Sequence, residues 1–96
     1  MFNSNFSIGS RTIGADNKVL IIAEAGVSHF GDMTLAHELI EISADAQADV
    51  FKIQIFDVDC LISNTLGEWK ERLRPRNLNF EQVCEIKEAC EKQGLI

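Results

Sequence analysis

The sequence lacks tyrosine and holds a single tryptophan (Trp69) and a single proline (Pro75) in 96 residues. That leaves no aromatic platform on which nucleic-acid bases could stack. Positive charge is also scarce. Nine Lys and Arg face fifteen Asp and Glu, for a net charge of −6. Such a field repels phosphate backbones, so no nucleic-acid partner is expected. Long apolar runs are missing. The stretch from Val19 to Ala23 is far short of the roughly 20 residues that cross a bilayer, so no membrane partner is expected. No basic start leads into an apolar run and a small-residue cleavage site, so a cytoplasmic location is the expectation. The three cysteines, Cys60, Cys84 and Cys90, are an odd count without a C-x-x-C pair. Reduced thiols packed in helices are expected, not a disulfide framework or a zinc site. With 46% hydrophobic and 25% charged residues, the chain has the composition of one small globular unit, not of a disordered tail.

What is present reads as an α/β pattern. Phe6-Ser7-Ile8 and Thr12-Ile13 flank Gly9-Ser10, which predicts a hairpin with a two-residue turn. Val19 to Ala23 predicts a strand apolar on both faces, as in a parallel sheet covered on both sides. It ends at Glu24 and leads into a loop with glycines at both ends, Gly26 to Gly31. Asp32 suits an N-cap, and the stripe Leu35, Ala36, Leu39, Ile40, Ser43 with Ala46 or Gln47 predicts an amphipathic helix from Met33 to Gln47. Val50 to Phe56 predicts a second strand, with Phe51, Ile53 and Ile55 on one face and Val50, Lys52 and Gln54 on the other. Asp57 to Arg76 reads as irregular, with a short helix over Leu66 to Leu73 ended by Pro75. Asn79 and Gln82 form a capping-box pattern for a last helix whose apolar face is Val83, Ile86, Ala89 and Cys90. Leu95-Ile96 reads as the opening of a third strand. Strand, helix, strand is a βαβ unit with parallel strands.

In such folds ligands lie at the carboxyl ends of the strands. Glu24 sits at the end of the first strand, and Lys52 and Gln54 near the end of the second. A lone ammonium buried in a sheet is costly unless an anion meets it. A lysine beside an amide and opposite a carboxylate therefore suits an anionic, hydroxyl-bearing small molecule. The alternative is a Lys52–Glu24 ion pair with no ligand. His29, between two loop glycines, is a candidate proton carrier, hydrogen-bond donor to a ligand or metal ligand, although a lone loop histidine is more often none of these. Ser28 has no base except its immediate neighbour His29, which argues against a nucleophilic dyad. Asp57 and Asp59 are spaced like a weak cation site but read better as solvated loop acids. The basic cluster of Lys70, Arg72, Arg74 and Arg76 could meet an anionic substrate or a neighbouring subunit but reads better as a solvated face.

The stretch from Ile21 to Asp32, IIAEAGVSHFGD, resembles the I-A-E-I-G-x-N-H-x-G signature of the sialic acid (N-acetylneuraminate) synthase family. Ala48 to Gln54, ADVFKIQ, resembles its A-D-x-x-K-x-Q signature, and Phe6 to Gly14 resembles its N-terminal hairpin. The resemblance implies the N-terminal portion of a (β/α)8 TIM barrel preceded by a β-hairpin and incomplete in this chain. Residues 1–16 would be the hairpin extension, and residues 17–96 the first two βα units, cut before the third strand. It implies a transferase that condenses phosphoenolpyruvate with an N-acetylated amino sugar and releases phosphate, acting as a homodimer when full length. By position, Glu24 would be catalytic, and Lys52, Gln54, His29 and Ser28 would bind substrate. Lys52 would meet the phosphoenolpyruvate anion, Gln54 the sugar, and His29 would order its loop. A divalent cation (Mn2+ or Mg2+) would polarise the sugar carbonyl, with ligands beyond Ile96 and none in this chain. Ser28 replaces the usual Asn, Ala25 the usual Ile, and Ile55 a common Thr. A full barrel needs roughly 250 residues, so the chain alone is expected to be inactive. The alternatives are another barrel aldolase or synthase using phosphoenolpyruvate or a keto acid, and a non-catalytic binding or subunit-contact module.

Overall fold

A computed structural model describes residues 2–96. Two short antiparallel strands, β1 (Asn5–Ile8) and β2 (Arg11–Gly14), pair with Ile8 opposite Arg11. Gly9, at φ 54°, supplies the left-handed turn residue. β3 (Ile22–Gly26) and β4 (Val50–Ile53) then pair in parallel, joined by helix α1 (Met33–Asp45). This is the expected βαβ unit. A short helix α2 (Val58–Leu61), a 3-10 turn (Asn64–Leu66), helix α3 (Gly67–Leu73) and a second 3-10 turn (Arg74–Arg76) follow before helix α4 (Phe80–Lys92).

The helix ends follow the sequence closely. Asp32 caps α1 by accepting from the backbone N–H of Thr34 at 2.9 Å and of Leu35 at 3.4 Å. Asn79 and Gln82 exchange the two bonds of a capping box, at 2.8 and 2.9 Å. The buried stripe of α1 is Ala36, Ile40 and Ser43, and it stops there because α1 ends at Asp45. Ala46 is the C-cap and Gln47 turns left-handed at φ 60°. The Ser43 hydroxyl is satisfied by donating to Leu39 C=O at 2.7 Å. Ile40, Ala36, Phe51, Leu78, Ile86, Cys90 and Leu95 form one core between α1, α4 and the helix-facing side of β4. Each large side chain buried there contributes about 1.5–3 kcal/mol.

Two strand boundaries differ from expectation. The first strand starts at Ile22, not Val19, and runs through Glu24 to Gly26. Val19 stays exposed, whereas Glu24 pairs in register with Lys52. A polar residue read as a strand end is therefore a strand interior, because its partner strand offers a lysine opposite it. The second strand ends at Ile53, although the Gln54 N–H still donates to Gly26 C=O at 3.1 Å. The region read as irregular contains α2, whose only sequence signal is its N-cap Asp57.

Beyond α4, Ile96 N–H donates to Asp49 C=O at 3.0 Å and Ile96 C=O accepts from Phe51 N–H at 2.9 Å. This is the bonding pattern of a parallel neighbour on the far side of β4. The hairpin meets the amino end of the sheet. Arg11 is ion-paired with Asp49, whose other oxygen accepts from Ile21 N–H at 2.8 Å. These bonds, the Ile21 N–H first, hold the Asp49 carboxyl below the usual carboxylate range. The radius of gyration is 16.0 Å, against about 12.5 Å for a compact domain of this length. The chain is extended, 48 × 36 × 21 Å along its principal axes, and Ile21, Ile22 and Ile55 lie exposed on its strands and strand ends. An apolar groove of about 440 Å³, lined by Phe51, Ile53, Val83, Ile86, Cys90 and Ile96, lies on the helix side of β4. All three cysteines are free thiols. Cys90 is buried, which raises its pKa, whereas Cys60 is exposed and not packed as expected. No helix among the described residues is long and apolar enough to cross a membrane.

Candidate functional site

The alternation of β4 sends Phe51 and Ile53 to the helices and Lys52 and Gln54 to the opposite face. There Lys52 Nζ lies 2.6 Å from Glu24 Oε2 across the β3–β4 pair. The two side chains keep 58% and 45% of their surface exposed, so this is a solvent-reachable pair and not a sealed one. A bulge between Glu24 and Gly26 shifts the register by one residue and turns the strand end. Gly26 sits there at φ 58°. A Cβ on it would lie 3.3 Å from Glu24 Oε1 and 4.0 Å from the Gln54 carboxamide. The missing side chain therefore leaves open the space onto which carboxylate and amide converge. Cation, carboxylate and amide thus share one face at the carboxyl end of the strands, as the sequence pattern anticipates. The arrangement offers charge and hydrogen bonds to an anion carrying hydroxyls.

The loop from Gly26 to Asp32 is a chain of tight turns. Ser28 N–H donates to Ala25 C=O, Phe30 N–H to Val27 C=O and Asp32 N–H to His29 C=O, at 2.8–3.1 Å. Ser28 is exposed on this loop. His29 is not, with 1% of its surface accessible. Its Nδ1 accepts from Gly31 N–H at 2.9 Å, which places the ring proton on Nε2. Nε2 has no partner within the described residues. Burial first, and the nearby Arg76 charge second, push the imidazole pKa below its ordinary value. The ring is thus held neutral.

The 57–76 segment is more built than the sequence suggests. Lys70, read as part of a solvated basic face, is buried, with its Nζ 2.6 Å from Asn64 Oδ1 and 3.1 Å from Asp59 Oδ1. Arg74 also bonds Asp59 at 3.3 Å and Glu71 at 3.1 Å. Asp57 caps α2. Asp59 is drawn below the usual carboxylate range by its bonds from Arg74 and Lys70. The two acids are engaged with protein groups, not set out as a cation site. Arg76 lies over the Phe30 ring at 4.2 Å, and Gly31 touches Pro75. The Gly26 bulge and the Phe30–Arg76 contact were missed by sequence reasoning. The bulge has no pattern of its own, and the contact joins residues 46 positions apart.

No family model matches the chain. Among curated proteins, it is 59% identical over 46 residues to the N,N'-diacetyllegionaminic acid synthase of Campylobacter jejuni, covering 48% of this chain and 14% of that protein. It is 33% identical over 86 residues to the enzyme of the same name from Legionella pneumophila, covering 88% of this chain and 24% of that one. The crystal structure of the N-acetylneuraminic acid synthetase of Leptospira borgpetersenii superposes on 96% of this chain with a TM-score of 0.90 and 30% identity, covering 32% of that chain. The chain resembles the sialic acid synthase family. It spans between 14% and 26% of the length of the curated relatives it matches. The two stretches that carry the synthase signatures, residues 21–32 and 48–54, supply every side chain of the strand-end cluster.

Proposed function

We propose that this chain is the N-terminal part of a cytoplasmic nonulosonic acid synthase, which condenses phosphoenolpyruvate with an N-acetylated amino sugar and releases phosphate. The observation that carries the reading is the convergence of Lys52, Glu24 and Gln54 around Gly26 at the carboxyl end of a parallel strand pair. In this reading residues 1–16 are a hairpin extension and residues 17–96 are the first two units of a (β/α)8 barrel. The extended shape and the bonds of Ile96 alongside β4 support that reading. A homodimer is part of the same proposal.

Chemically, the Lys52 ammonium holds the phosphoenolpyruvate anion by charge-assisted hydrogen bonds. The new carbon–carbon bond forms between the methylene carbon of phosphoenolpyruvate and the carbonyl carbon of the sugar. Water supplies the oxygen that remains on the product when phosphate departs. Glu24 orients that water or the sugar and moves protons, Gln54 and Ser28 hydrogen-bond the polyhydroxylated acceptor, and His29 orders the loop that presents Ser28. The family resemblance also implies a divalent cation. Among the described residues no group of three or more His, Cys, Asp or Glu is placed to hold one. The residues here do not fit a metal centre, and none of these roles is routed through it.

The test is turnover of the complete protein that carries this chain, with phosphoenolpyruvate and a panel of N-acetylated amino sugars, read by product mass. A nonulosonic acid from one of them, lost in Lys52→Ala, is the expected result. Turnover with a simple aldehyde and with none of the amino sugars would point instead to another barrel aldolase.

A further inference from the structure

Two unfavourable features and one close backbone approach crowd into the six residues from Gly26 to Gly31. Phe30 is a bulky residue in the left-handed region at φ 53°, a conformation that persists only where its surroundings impose it. His29 Nε2 is buried without a partner among the described residues, which costs a hydrogen bond to water. Gly31, at φ 79°, is pressed so closely on Pro75 that a Cβ would lie 1.9 Å from the Pro75 carbonyl oxygen. What opposes these costs comes from one place. The 3-10 turn Arg74–Arg76 supplies the carbonyl that Gly31 packs on and the Arg76 guanidinium that covers the Phe30 ring at 4.2 Å.

We propose that Arg76 is a positioning residue for the strand-end site, acting through Phe30 to hold the 26–31 loop closed over His29 and so to fix the backbone that carries Ser28. Arg76 thereby couples the loop after β3 to the segment after β4, the two connections that leave the carboxyl end of the sheet. Its role at the sugar subsite rests on the synthase reading given above. The clasp itself is read out without turnover.

Hydrogen exchange of the Gly31 amide reports the clasp, because that N–H is released from His29 Nδ1 when the loop opens. A cation over an aromatic face at an exposed site is worth about 0.5–1 kcal/mol, so Arg76→Ala should speed Gly31 exchange about two- to five-fold. Phe30→Leu should do the same, and the double variant should exchange no faster than either single one, because both remove one interaction. Arg76→Lys keeps the charge but loses the planar fork, and should recover only part of the protection. The Ile86 amide, in the α4 core, serves as the control for global folding and should not change. In the complete protein, Arg76→Ala should raise KM for the amino sugar by the same factor while kcat holds. Unchanged Gly31 exchange in Arg76→Ala, or single effects that multiply in the double variant, would overturn the clasp. A wild-type protein without synthase turnover would overturn the function and leave the exchange result to decide the clasp.

Discussion

Replacing Lys52 by alanine should separate stability from ligand binding. The ammonium lies 2.6 Å from Glu24, but both side chains are about half exposed, at 58% and 45%. Ion pairs in that setting contribute about 0.2–1 kcal/mol. A parallel sheet that needed the pair for folding would have sealed it. Urea unfolding of Lys52→Ala should therefore show a loss below about 1 kcal/mol, with an unchanged slope. The contact with a bound anion is different. In the enclosed barrel mouth of the proposed function, removing one partner of a desolvated charge pair costs about 2–5 kcal/mol, which corresponds to binding weaker by about 30-fold to a few thousand-fold. Calorimetric titration of phosphoenolpyruvate into the complete protein, at one fixed salt concentration, measures this directly. A stability loss above about 2 kcal/mol with unchanged phosphoenolpyruvate affinity would refute the reasoning and make Lys52 a structural ion pair.

Other substitutions probe the loop and the helices. Gly31→Ala forces a left-handed alanine onto the Pro75 carbonyl and should cost at least about 2 kcal/mol in thermal unfolding, the strain alone being about 1–2 kcal/mol. Asn79→Ala breaks the capping box of α4 and should cost about 1 kcal/mol by urea unfolding. Acidification should open the loop. His29 is neutral, with its pKa lowered by burial and by Arg76. The unfolded imidazole binds its proton first, near its ordinary value of about 6.5. Stability is thus complete above that value and falls as pH drops from it toward the folded-state pKa, at no more than about 1.4 kcal/mol per pH unit. Protonation would also turn Nδ1 into a donor facing the Gly31 N–H. Faster Gly31 exchange at pH 5 than at pH 7, after correction for intrinsic rates, is the expected result. His29→Gln should flatten the profile.

Much of the fold was legible because it rests on local rules. The hairpin turn at Gly9, the cap at Asp32, the box at Asn79 and Gln82 and the period-2 alternation of Val50 to Gln54 are each written within a few residues. The site was legible in its members but not in its geometry. Glu24 reads as a strand end because a charged residue interrupts an apolar run, yet it lies inside β3 because Lys52 stands opposite it. That pairing depends on register, which no single segment specifies. The solvated reading of the basic cluster failed for a similar reason. Lys70 is buried because Asp59 and Asn64 fold back onto it, and neither lies at helix spacing from it. Arg76 was indistinguishable from its neighbours in sequence. It is set apart only by the ring of Phe30, brought to it across the carboxyl end of the sheet.

In the proposed function, the Lys52, Glu24 and Gln54 cluster serves a condensation of phosphoenolpyruvate with an amino sugar. The most direct measurement is phosphate release from phosphoenolpyruvate by the complete protein, with and without an N-acetylated amino sugar. Release is expected only when both are present, in step with formation of a nonulosonic acid, and none from Lys52→Ala. Release from phosphoenolpyruvate without the sugar, or full release by Lys52→Ala, would contradict that function.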